Sequence, residues 1–218
     1  DGFSPKIKEK PNKMGKHKIM KTIQNTNKLK IKIFSDGADK KTMLKMNSDK
    51  LIRGLTTNPT LMKKAGIKNY KSFFKNILKI IDKKPISFEV FADDFDEMYR
   101  QAIEISKWGR NVYVKIPITN SKGHYSLPLI KSLSGSGVKV NVTAIMTTQQ
   151  VSKVFKNLNN KVPSYISVFA GRIADTGIDP IPIMKKSLRI ISENKKCELI
   201  WASPRELLNV FQADKIGC

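Results

Sequence analysis

Asn111-Val112-Tyr113-Val114-Lys115-Ile116-Pro117 is the stretch on which the reading of the chain turns. Its nearly unbroken run of β-branched and aromatic residues reads as a strand buried on both faces, the pattern of a parallel sheet. A lysine sits inside it. Taking an ammonium out of water is expensive, so such a strand does not carry Lys115 without cause. One cause is a strand-end lysine whose stem is buried while its head reaches solvent or pairs with Glu89. The other is an amine held out of water that attacks a carbonyl and forms a Schiff base, with Asp36 and Glu89 supplying proton transfers.

Outward from this strand, short β-rich runs alternate with helix-period segments. The other runs are 32–35, 51–55, 86–90, 138–142, 165–168 and 198–201. Helical spacing covers 70–81, 94–108, 121–133, 147–158 and 181–192, with Asp94 and Thr147 as N-caps. Seven β-α units in sequence imply a parallel sheet with right-handed crossovers, as a closed (β/α)8 barrel or an open doubly wound sheet. No G-x-G-x-x-G opens a helix after the first strand, which removes the main sign of a dinucleotide-binding sheet.

In a barrel, reacting groups gather at the C-terminal ends of the strands. Here each run leads to a residue capable of chemistry: Asp36, then Thr56-Thr57-Asn58-Pro59, Glu89, Lys115, Asn141 with Thr143, Ser167 followed by Arg172, and Ser203 with Arg205. Each has an ordinary reading alone. Asp36-Gly37 is a turn, Asn58-Pro59 starts a helix with proline at its first position, and the arginines are surface residues. Seven at the same end of successive units are hard to obtain by accident. His124 lies in a Gly-His-Tyr loop and His17 near the N-terminus, neither beside a plausible serine or cysteine nucleophile, so a hydrolytic triad is not expected. Asp93, Asp94, Asp96 and Glu97 read as a solvated patch opening a helix, not as a metal site.

Composition bounds the remaining classes. The 218 residues carry 41 Lys and Arg against 18 Asp and Glu, a net charge of +23. Of the 41 bases, 35 are lysine and 6 arginine. Arginine is the residue that bidentate phosphate and base contacts favour, and the lysines are spread over the whole chain. This fits AT-rich codon usage acting on tolerant surface positions better than a dedicated nucleic-acid binder, so no specific nucleic acid is expected. Non-specific adhesion to polyanions follows from the charge alone. No apolar run approaches the ~20 residues of a membrane span, so no membrane partner is expected. Cys197 and Cys218 make no disulfide framework or metal-ligand spacing, and the N-terminus has no apolar signal core; a cytoplasmic location is the expectation. Residues 1–29, basic and broken by proline and glycine, read as a disordered tail in which Met14 or Met20 could be the true start. Residues 30–218 read as the barrel domain.

At this point the residues resemble a known family. Gly54-Leu55-Thr56-Thr57-Asn58-Pro59-Thr60-Leu61 is similar to the transaldolase signature around its second strand, and Val114-Lys115-Ile116-Pro117-Ile118-Thr119 to that family's Schiff-base lysine segment. Asn141-Val142-Thr143-Ala144, Ser167 to Ile173 and Ala202-Ser203-Pro204-Arg205 resemble its later blocks, in order. The resemblance spans about 30–218. It implies an α/β (β/α)8 TIM barrel of the class I aldolase type acting on sugar phosphates. It also implies that Lys115 attacks the ketone, that Glu89 with Thr143 shuttles protons through a water, and that Asp36 deprotonates the hydroxyl beyond the bond to be cut. Thr56, Asn58, Asn141 and Ser167 would meet the substrate, and Arg172, Ser203 and Arg205 its phosphate. No cofactor or metal is implied, because the imine is itself the electron sink. Barrels of this family commonly associate, so a homo-oligomer is compatible with it.

Two positions separate the branches. Fructose-6-phosphate aldolases resemble this chain in length but carry Gln where it has Glu89 and Tyr where it has Phe169, so transfer of a dihydroxyacetone unit is favoured over simple cleavage. The departures are Thr60 in place of the commoner Ser, Ala174-Asp175 where two acids are usual, and an end at Asp214 to Cys218, where an eighth strand should begin. The chain therefore reads as truncated, with the eighth strand missing. The alternatives are aldolase-type cleavage and a non-enzymatic polyanion-binding protein.

Overall fold

The computed structural model describes residues 29–218; the expected tail falls almost wholly outside them, as do Met14, His17 and Met20. Residues Ile31–Cys218 form one compact unit. Seven strands, β1 (Ile33–Asp36), β2 (Ile52–Thr56), β3 (Ile86–Glu89), β4 (Val112–Pro117), β5 (Val140–Ile145), β6 (Ser164–Val168) and β7 (Cys197–Trp201), lie side by side in sequence order. All six pairings are parallel. The helices are α1 (Lys40–Ser48), α2 (Pro59–Lys64), α3 (Tyr70–Leu78), α4 (Phe95–Ser106), α5 (Leu127–Gly135), α6 (Thr148–Asn157), α7 (Ala170–Asp175), α8 (Pro180–Ile191) and α9 (Leu207–Ile216).

The sheet curls, so its two edge strands approach one another. Phe34 of β1 meets Tyr165 of β6 edge-on, ring centroids 5.4 Å apart. Lys32, just before β1, pairs with Glu198 of β7 at 2.5 Å. The backbone N–H of Ile31 donates to Asp214 on α9. These are seven strands of a (β/α)8 barrel; among the described residues no strand lies between β7 and β1.

Strand periodicity then sorts the side chains. On β4, Val112, Val114 and Ile116 pack under helices, while Tyr113 and Lys115 fall on the alternate, interior face. The outer layer is apolar: the Phe74 ring of α3 packs tilted against Phe88 of β3, centroids 4.0 Å apart, and lies 4.9 Å from that of Trp108. Gly54 is where β2 must be bare, since a Cβ there would come within 2.2 Å of the Phe34 ring.

Asp94 and Thr147 do cap helices: Asp94 accepts from the N–H groups of Asp96 and Glu97, and Thr147 forms a reciprocal capping box with Gln150. Asn58 likewise caps α2, with Pro59 at its first position. The helix expected over 121–133 begins only at Leu127. Gly123 takes a left-handed φ of +79°, the Asn120 side chain accepts from the Lys122 and His124 N–H groups, and Thr119 bridges Tyr125. Pro128, which has no N–H to donate, then sits in the first turn of α5, where none is needed.

Candidate active site

Parallel register sets the centre of the site. Glu89 and Lys115 are direct partners across β3 and β4, and Lys115 is paired in turn with Asn141 on β5. Both side chains project from the C-terminal halves of their strands. Lys115 is 9% exposed, and its Nζ lies 3.3 Å from Glu89 Oε2. The same ammonium donates to the Thr57 carbonyl at 3.4 Å. Burial raises the Glu89 carboxyl above its ordinary range; the Lys115 charge and hydrogen bond pull it partly back, and Asp36 pushes it up a little more. Glu89 therefore holds its proton to higher pH than a surface glutamate.

Beside the pair runs a buried polar chain. Ser167 Oγ donates to Asn141 Oδ1 at 2.7 Å, and Asn141 Nδ2 donates to Ser87 Oγ at 3.0 Å. Both functions of the amide are used, so its orientation is fixed. Thr143, on the same strand two residues on, is 2% exposed, and its Oγ1 has no hydrogen-bond partner. Asp36, at the end of β1, accepts from Thr56 Oγ1 at 2.8 Å, the pairing partner of the same residue. Asn58 Oδ1 is used by the Leu61 N–H, leaving its NH₂ group for other partners.

A second cluster lies at the ends of β6 and β7. Arg172 stands over the Phe169 ring, guanidinium carbon 4.9 Å from the centroid. Arg205 Nε donates to Asp175 Oδ1 at 3.0 Å and its Nη2 donates to Asp175 Oδ2. This hydrogen bonding holds the Asp175 carboxyl below the usual range and the Arg205 guanidinium above its own. Ser203 adopts a left-handed φ of +58°. Its carbonyl comes so close to Gly171 that a Cβ there would lie 1.6 Å away. Glycine is the residue that lets the β7 loop settle on α7.

Lys115 with Glu89, Asn141 with Ser167, and Asp36 with Thr56 are thus joined by direct contact. Arg172 and Phe169, on α7 and its N-cap, collect beside Ser203 and Arg205 of the loop after β7. Three further residues take part to which the sequence reading gave no role of their own. Ser87 could have been found, since it precedes Glu89 by two on the same face of β3. Asp175 stands out only as part of Ala174-Asp175, where the resemblance leads one to expect two acids. Thr57 contributes its backbone carbonyl to Lys115, which no side-chain pattern could announce. Away from the centre, Asp93 accepts from the N–H and hydroxyl of Ser121.

Seven parallel β/α units with a buried amine against a carboxylate at their C-terminal ends define a β/α-barrel protein of the lysine-bearing, aldolase-like class. The chain belongs to the transaldolase/fructose-6-phosphate aldolase family, whose model matches residues 33–218. Proteins named "probable transaldolase" are similar over 188 residues: 36% identity in Streptococcus agalactiae serotype V, covering 86% of this chain and 83% of that protein, and 35% in Thermoanaerobacter sp. strain X514, covering 86% and 82%. A Methanococcus maripaludis (strain C5) protein of the same name is 34% identical over the same shares as the first. Among solved structures, a dihydrodipicolinate synthase family protein from Coccidioides immitis superposes with a TM-score of 0.58 at 13% identity, covering 84% of this chain and 64% of that one. That likeness speaks to the fold alone. Among the described residues no helix is long and apolar enough to cross a membrane.

Proposed function

We propose that the protein is a transaldolase-type transferase that moves a three-carbon dihydroxyacetone unit between sugar phosphates through a Schiff base on Lys115. The observation that carries this reading is the buried Lys115 Nζ at 3.3 Å from a carboxyl whose proton affinity is raised. In the free amine form, Nζ adds to the ketone carbon of a ketose phosphate. Glu89, acting with the Thr143 hydroxyl, protonates the departing carbinolamine oxygen, and water leaves as the iminium forms. Asp36, oriented by Thr56, removes the proton from the hydroxyl beyond the scissile carbon–carbon bond. The bond's electrons pass into the iminium, giving an enamine and a free aldehyde. Addition of the enamine to a second aldehyde, followed by hydrolysis, completes the transfer and frees the amine.

Asn58, Asn141 and Ser167 contact substrate hydroxyls in this reading. Arg172, Ser203 and Arg205 hold the phosphate, which a guanidinium fork suits. Glu89 and Phe169 favour transfer over cleavage: a phenyl ring lacks the hydroxyl that would place a hydrolytic water.

The test is to incubate the protein with fructose 6-phosphate and borohydride and map the adduct by mass spectrometry. A reduced three-carbon or hexose adduct on Lys115, absent from Lys115→Met, is expected. An unmodified Lys115 in folded protein overturns the reading. Release of glyceraldehyde 3-phosphate that depends on an added acceptor aldehyde marks transfer; equal release without it marks cleavage.

A further inference from the structure

The opposite end of the barrel holds a cleft that this chemistry does not use. It measures about 400 Å³ and is lined by Lys83, Arg110, Lys139, Asp82, Tyr113 and Tyr165, together with Pro85 and Asn111. Every one of these residues lies in a loop that enters a strand, or within the first two residues of a strand. The cleft is therefore at the N-terminal mouth, and its Tyr113 precedes Lys115 by two residues on β4.

Its walls are tied together. Asn111 Nδ2 donates to the carbonyls of both Ile81 and Lys84 at 2.8 Å, pinning the loop before β3 to the loop before β4. Lys139 Nζ donates to the Arg110 carbonyl at 2.6 Å, which ties in the loop before β5. The same ammonium stands 5.7 Å from the centroid of the Tyr113 ring. Tyr113 and Tyr165 stack at 4.3 Å and close the bottom. Both phenols are raised above their ordinary range by burial and so stay protonated. Three loops and two buried rings thus shape one cleft bordered by three cations, of which Lys139 is already held by the Arg110 carbonyl before any ligand arrives.

Charge along the chain points the same way. The loops that enter β3 to β7 hold nine lysines and arginines against Asp82 and Glu193. The loops leaving those strands toward the following helices carry Asp93, Asp94 and Glu206 against Lys122 and Arg205. Codon usage accounts for many lysines but is blind to which end of a strand they occupy. A crowd of like charges at one mouth is self-repelling, and a bound anion relieves that repulsion.

We propose that the cleft at the N-terminal mouth is a second anion site, taking the dianion of a small phosphate monoester between Lys83, Arg110 and Lys139. Three cations less the Asp82 carboxylate match a doubly charged phosphate. Arg110 offers a planar fork, and the lysines offer point charges on either side of it.

The experiment is a ¹⁵N–¹H NMR titration of the full chain with inorganic phosphate at constant ionic strength. Saturable shifts at the amides of Lys83, Arg110 and Lys139, separate from those near Arg172 and Arg205, are expected. Lys83→Glu should weaken the first set about tenfold or more while sparing the second. Lys83→Gln with Arg110→Gln, which leaves the Lys139 tie to a backbone carbonyl intact, should do the same and guards against a folding defect in the charge reversal. Absence of saturable shifts at the mouth, or their survival in both variants, overturns the proposal. So does a uniform response of surface lysines that vanishes on adding salt, or displacement of phosphate by a short RNA with a steep salt dependence; either would mark the mouth as a general polyanion surface.

Discussion

At the residue scale the informative pair is Glu89 and Lys115. Burial lifts the Glu89 carboxyl, and the neighbouring ammonium restrains that lift. Since the folded value lies above the ordinary 4.5, the folded state binds the extra proton. The contribution of Glu89 to stability is full below 4.5 and is lost as pH rises through the raised value. Lys115→Met removes the charge and the hydrogen bond that lower it, so Glu89 should titrate higher still in that variant. Carboxyl-carbon NMR titration of both proteins checks this; an unchanged or lower midpoint in the variant would show that the two groups do not sense each other. Asp175 is the other residue to test. It takes Arg205 from the Nε side, which leaves the far edge of the guanidinium, with three N–H groups, facing other partners. On the proposed reading, this arrangement lets the carboxylate aim the phosphate-binding guanidinium without blocking it. Asp175→Asn should therefore raise KM for a phosphorylated ketose several-fold, with kcat and the rate on an unphosphorylated ketose held. A matching loss on both substrates would instead mean general damage.

Elements differ in how openly the sequence declares them. All seven strands were legible as β-rich runs, with ends displaced by up to three residues, because parallel strands covered by helices must be apolar along most of their length. Helices α3, α4, α6 and α8 were legible from their apolar spacing. Helix α1 was not: of Lys40–Ser48 only Met43 is buried, so there is almost no stripe to detect. Helices α2 and α7, six residues each, are shorter than two turns. Lys115, Glu89 and Asn141 could be placed in one site from sequence because strand ends converge. The Arg205–Asp175 pair could not, since it depends on how the loop after β7 lies on α7. That loop packing makes Gly171 decisive. Gly171→Ala forces its Cβ against the Ser203 carbonyl and should cost about 1–3 kcal/mol, as overpacking does, with weaker binding of phosphorylated ketoses. Thr147→Ala removes only one side of a capping box and should cost about 1 kcal/mol without altering substrate affinity. Urea unfolding beside KM measurements separates the two.

Over the whole molecule, curvature is what brings seven strand ends to one place, and curvature depends on contacts that cross the interior. β1 has one sheet neighbour, β2, yet its Phe34 reaches Tyr165 on β6, which in turn stacks on Tyr113 of β4. Gly54 clears the room for the Phe34 ring, and Lys32–Glu198 adds an exposed pair of modest worth at the same end. The aromatic bridge is thus the main interior link from β1, which carries Asp36, to the strands that carry Lys115 and Ser167. Phe34→Ala should cost about 3 kcal/mol, the lower end for losing a phenyl ring because Phe34 is only partly buried. Its effect should be uneven. Amides of β1 and β2 should exchange with solvent faster than those of β4 to β6, which keep their neighbours on both sides. Since Asp36 then sits on a loosened strand, carbon–carbon cleavage should slow more than trapping of the Lys115 adduct, which needs only β3, β4 and β5. Hydrogen exchange and borohydride trapping on the same variant measure both halves. Equal slowing of trapping and turnover would show that the sheet transmits the loss evenly, and that β1 is not held from across the barrel.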